Sequence, residues 1–151
     1  PIDYTEFSQE YNEAVKQISH LNIQFTRQVA RMARIKKALE RSLIKVGAID
    51  QSIESVERKM YKLGNLIFGL DAKNGMGEKN DPNLGNRLFS VNIGISNSLY
   101  GPTSTHIKML KIIDQELQVY QVKMEEITSE ISDIEKQIEE NGGPLLETDG
   151  R

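Results

Sequence analysis

The chain has 151 residues with a formal net charge of −3, and its 27% charged and 38% hydrophobic residues suit a water-soluble fold. Zero Cys excludes disulfides, thiolate metal sites and cysteine nucleophiles. No apolar run approaches the roughly 20 residues that a membrane-spanning helix needs. The length fits a single domain over 1–151, and a chain of this size buries roughly 70% of its unfolded surface. It opens on Pro1 with no signal-peptide pattern, so the expectation is a processed chain or a piece of a larger protein.

Gly and Pro divide the chain into four segments. The first, expected as a helix over 3–46, opens on Asp3 with Glu6 three residues later, the spacing of a capping box. Its apolar positions step by three or four through Phe7, Tyr11, Ala14, Ile18, Leu21, Phe25, Val29, Met32, Ile35, Leu39, Leu43 and Val46. Gly47 suits a left-handed helix stop. A second helix over 49–70 follows, with Ile49, Ile53, Val56, Met60, Leu63, Ile67 and Leu70 on one face and Gly64 and Gly69 weakening its last turns.

The stretch 71–81 lacks periodicity and reads as a loop. Asp81-Pro82 is an N-cap followed by Pro at the first helical position, starting a third helix over 82–100. Gly85 and Gly94 inside it point to a close neighbour, expected to be another helix backbone. Gly101-Pro102-Thr103 stops that helix and caps a fourth over 103–141. Leu110, Ile113, Leu117, Tyr120, Met124, Ile127, Ile131, Ile134 and Ile138 alternate in steps of three and four there, the seam of a long bundle helix. Gly142-Gly143-Pro144 ends it.

These segments make an all-α chain, far above the one-third helix of an average domain. Short connections predict an elongated up-down-up-down four-helix bundle with two long and two short helices. The short pair would cover residues 25–46 and 103–121, leaving 4–24 against 122–141 as an antiparallel coiled-coil stalk.

Little chemistry is offered. His20 and His106 have no metal-ligand spacing; His20 reads as a partly buried or surface histidine, and His106 as a surface or capping one. The 71–78 loop lacks the oxygen donors of a calcium loop and the spacing of a phosphate loop. The acids Glu125, Glu126, Glu130, Asp133, Glu135, Glu139 and Glu140 read as a solvated face. No catalytic, cofactor-binding or metal residue is assigned.

The most uneven feature is basic. Arg27, Arg31, Arg34, Lys37 and Arg41 follow at helical steps, with Lys36 and Lys45 nearby and one acid, Glu40, among them. Arg27, Arg31, Arg34 and Arg41 are the candidate partner-contact residues. Nucleic acid is an alternative partner, weighed down by the acidic whole chain and by the lack of aromatics along the ridge. Self-association through the stalk seam of Met124, Ile127, Ile131, Ile134 and Ile138 is another.

Three pieces carry a family resemblance: Asp-Pro-Asn-Leu-Gly-Asn-Arg-Leu-Phe-Ser-Val at 81–91, Tyr-Gly-Pro-Thr at 100–103, and the helix end Glu-Glu-Asn-Gly-Gly-Pro at 139–144. With the spacing of Arg31 and Arg34, they resemble the C-terminal helical region of sortilin-like proteins, bacterial proteins with BNR-type β-propeller repeats that are often labelled glycosyl hydrolases. The resemblance covers nearly the whole chain. It implies a non-catalytic accessory module that docks on a β-propeller of the same or another protein, in an exported parent. The propeller's Asp-box with its Trp has no counterpart here, because the chain has no Trp.

Overall fold

A computed structural model describes residues 4–42, 47–69, 83–97 and 101–143. The described residues form four helices and no strand: α1, Tyr4–Glu40; α2, Gly47–Phe68; α3, Leu84–Ser96; and α4, Ser104–Glu140. The all-helical expectation holds, with two helices of 37 residues and two of 22 and 13. Asp3, the 43–46 end of the first predicted helix, the 71–81 loop and Asp81-Pro82 lie outside the described residues.

Helix ends follow local chemistry. At the end of α4, Gly142 takes φ +78°. The Gly143 N–H donates to the Ile138 carbonyl at 2.8 Å and the Gly142 N–H to the Glu139 carbonyl at 3.1 Å, the paired bonds of a Schellman motif. Gly69, expected inside the second helix, instead ends it with φ +82° and an N–H bond to the Asn65 carbonyl. Gly47 is corrected too: it opens α2 and is absent from the left-handed glycines.

The N-cap of α3 is Asn83. Its Oδ1 accepts from the Asn86 N–H at 2.9 Å, while its Nδ2 donates to the Phe68 carbonyl at 3.0 Å. One side chain thus serves the start of α3 and the end of α2. Thr103 and His106 form the reciprocal cap of α4: the Thr103 N–H donates to His106 Nδ1 at 3.0 Å, and the His106 N–H to Thr103 Oγ1 at 3.4 Å. Gly94 of α3 explains itself against that ring, since a Cβ there would overlap the imidazole. The close neighbour of Gly94 is thus a side chain of α4 and not the expected helix backbone.

Contacts divide the chain into two compact units. One holds 1–21 and 64–121; the other holds 22–63 and 122–151. In the first, Phe7, Ala14 and Leu21 of α1, Leu84 and Val91 of α3, and Leu110, Ile113, Leu117 and Tyr120 of α4 are buried. Arg87 of α3 pairs with Glu116 of α4. In the second, Met32 and Ile35 of α1, Ile49 to Leu63 of α2 at helical spacing, and Met124 to Ile138 of α4 are buried.

This partition overturns the predicted stalk. Residues 122–140 share a unit with 22–40 of α1 and 47–63 of α2, whereas 4–21 lie in the other unit. In the second unit Lys59 of α2 pairs with Glu130, and Ala48 to Ser55 lie along Asp133 to Gln137, so α2 runs against α4. It also runs against α1, which it follows through a short connection. Helices α1 and α4 therefore point the same way there, in place of the alternating order. The connection between α2 and α3 is long enough that no hairpin is forced, whereas short links do force one.

The seam of α4 is buried at every predicted position from Leu110 to Ile138. That of α1 needs one correction. Val29 is 46% exposed, and Gln28 takes the inward place at 3%. Leu21, Gln28 and Ile35 thus stand seven residues apart along one inward row.

Candidate partner-contact surface

The basic segment of α1 lies wholly within the second unit. Helical spacing puts Arg27, Arg34 and Arg41 seven residues apart on the outward side, and Lys37 one step round from them. Arg27, Lys37 and Arg41 are exposed, and Arg34 is half-buried. Lys36 turns toward α2 and pairs with Glu57 at 2.8 Å. The Glu57 carboxylate, by hydrogen bond and charge, holds the Lys36 ammonium above its ordinary pKa.

Arg31 departs from the predicted ridge. It is 1% exposed and faces α4. Its Nη1 donates to Gln28 Oε1 at 2.8 Å, and its Nη2 donates to Ser132 Oγ at 3.1 Å and to the Glu135 carboxylate. Arg31 is therefore a structural cation of the interior, corrected from partner contact. The reason is its place beside the inward row of Gln28 and Met32, where an unpaired guanidinium would be costly and Glu135 supplies the counter-charge.

Glu135 leaves the predicted solvated face of α4 for the same reason, with 2% of its surface exposed. Glu130 is tied to Lys59. Glu125, Glu126, Asp133 and Glu140 remain exposed as expected. The cluster of buried Gln28, Arg31 and Glu135 with half-buried Ser132 interrupts the apolar pattern, whose steps of three and four lead to exposed Val29 in place of inward Gln28. A strict seven-residue count from Leu21 reaches Gln28 and marks the polar intrusion.

The seam of Met124, Ile127, Ile131, Ile134 and Ile138 is at most 1% exposed, each residue packed inside its own unit. It offers no apolar surface to a second copy. Among the described residues no group of three or more His, Asp or Glu side chains could hold a metal ion, and no helix is long and apolar enough to cross a membrane. His20 is exposed and His106 serves the α4 cap.

Comparisons with protein-family models, with curated proteins and with solved structures find no match for this chain. The resemblance to sortilin-like proteins rests on the three quoted segments.

Proposed function

We propose that the chain is a non-catalytic helical module that works by presenting helix surfaces to a protein partner, and that it is the C-terminal helical part of a sortilin-like β-propeller protein. The observation that carries the module reading is the outward face of α1. Its cations Arg27, Lys37 and Arg41 stay exposed beside the exposed apolar residues Ile23 and Val29. A row of one charge sign beside exposed apolar positions offers a surface that an oppositely charged protein patch can complement.

The parentage is tested in the reading frame that encodes Pro1, together with co-purification of this chain with the encoded propeller. Propeller blades carrying Asp-boxes, and a propeller that co-purifies with wild-type chain but loses an Arg27→Glu/Arg41→Glu variant, support the reading. A reading frame without blades, or indifference to the charge reversals, refutes it.

A further inference from the structure

The second unit carries two outward rows that match step for step. On α1 the face opposite the buried seam runs Ile23, Arg27, Ala30, Arg34, Lys37, Arg41, in steps of four and three. On α4 the corresponding outward face runs Val122, Glu126, Ser129, Asp133, Lys136, Glu140, with the same steps in the same order. All of these are exposed except the half-buried Arg34. Ile23 is 57% exposed and Val122 55%.

Laid side by side in the same direction, the rows give an apolar pair, Ile23 with Val122, and a pair of small residues, Ala30 with Ser129. Three opposite-charge pairs fall between and after them: Arg27 with Glu126, Arg34 with Asp133, and Arg41 with Glu140. Only Lys37 against Lys136 is like-charged. Reversing one row removes this match, because Arg27 then meets Lys136 and only Lys37 with Glu126 pairs opposite charges. Arg27, Arg41, Glu126 and Glu140 lie opposite the buried seams of their helices, while Asp133 borders the groove against α2 and Arg34 is half-buried, so the exposed pairs Arg27 with Glu126 and Arg41 with Glu140 carry the match.

We propose that these rows are the two halves of an interface between copies of this chain, the basic row of one copy docking in the same direction on the acidic row of another. The proposal rests on the module reading above and names a second copy as partner. Its contacts are few in apolar area and rich in exposed charge, which sets a weak association that salt screens.

Sedimentation equilibrium of the chain at low salt tests it. Reversible association is expected, weakening at least tenfold when salt rises from about 50 to about 500 mM, where the screening length falls well below the span of a ridge. The variant Arg27→Glu/Arg41→Glu and the variant Glu126→Lys/Glu140→Lys should each lose self-association at least tenfold with unchanged helix content by circular dichroism. Mixed together, they should associate again, because each supplies the charge that the other has exchanged.

The absence of Cys allows a direct reading of direction. Ile23→Cys mixed with Val122→Cys should form a disulfide-linked dimer under mild oxidation, and Ile23→Cys mixed with Glu140→Cys should not. A chain that stays monomeric to about 1 mM, the weak end of measurable affinity, overturns the proposal. So does association that ignores the charge exchange, or cross-linking only at Glu140. Propeller co-purification is read on a different complex, so failure here and failure of the module reading are separable.

Discussion

Removing the Arg31 guanidinium should be among the most damaging single changes in the second unit. The Arg31 side chain is 1% exposed and that of Glu135 is 3%. In Arg31→Met the stem volume is largely kept, so the loss falls on the charge and its bonds. Glu135 loses its guanidinium, and Gln28 and Ser132 lose the donors that now reach them at 2.8 and 3.1 Å. Removing one partner of a buried ion pair costs about 3–5 kcal/mol. For a chain of this length each kcal/mol moves the midpoint by about 2–4 °C, so Tm should fall by about 6–20 °C.

Glu135→Leu alone should cost a similar amount, because it strands the guanidinium instead of the carboxylate. The double variant Arg31→Met/Glu135→Leu replaces the pair by apolar groups. It should recover most of the loss and match or exceed the wild type. Urea and thermal unfolding followed by far-ultraviolet circular dichroism and tyrosine absorbance, with coincident transitions, measure all four corners of the cycle. A loss under about 1 kcal/mol for either single variant would mean that water reaches the pair. A double variant as unstable as the sum of the two singles would mean that the side chains do not interact. Either result refutes the reasoning.

Three further outcomes follow from the first unit. Asn83→Ala removes the α3 cap and the donor to the Phe68 carbonyl, and should cost about 1–2 kcal/mol in chemical denaturation, the upper range for a cap. Gly94→Ala should stabilise by about 1 kcal/mol in a His106→Ala background, where only helix propensity acts. In the wild type that gain should be cancelled or reversed as the ring is pushed from Thr103. Burial holds the Asp114 carboxyl above its ordinary value of 3.8. The folded state then binds the proton more tightly than the unfolded one, so this group lowers stability as pH rises from the unfolded value through the folded one. Asp114→Asn should therefore raise Tm at pH 7, and the gain should vanish as pH falls to about 4, near the unperturbed aspartate value.

The long helices were legible because their apolar spacing is nearly unbroken. Every predicted seam residue of α4 from Leu110 to Ile138 is buried, as are Ile49 to Ile67 of α2. Caps were legible where the turn chemistry is local, as at Thr103 and Gly142. Helix pairing was not, because a seam records that a face is covered and not what covers it. The expectation of alternating directions rested on short connections, and the 71–81 segment between the second and third helices is a long one. Of the four candidate arginines, Arg27 and Arg41 lie outward and Arg34 is half-buried, but Arg31 is interior. A stripe defined by charge and helical step alone cannot tell a cation beside the seam from one opposite it.

Strict seven-residue counting resolves both the interior exception and the exterior rows. Arg31 and Glu135 flank the inward rows of α1 and α4 and pair across them. An antiparallel pairing of 4–24 with 122–141 would set Glu135 against a part of α1 that holds no arginine, and would leave its charge buried without a guanidinium. The cluster thus opposes the alternative packing that an apolar seam alone would accept, the best-attested role of a buried polar group in a helical assembly. The order of each outward row is set by the sequence of its own helix, and packing in the second unit sets only which side of the helix faces out. Arg31→Met/Glu135→Leu should therefore separate the two roles. Stability is restored by the apolar pair, while any loosening of helix direction or register would appear as weakened self-association through rows the substitutions never touch.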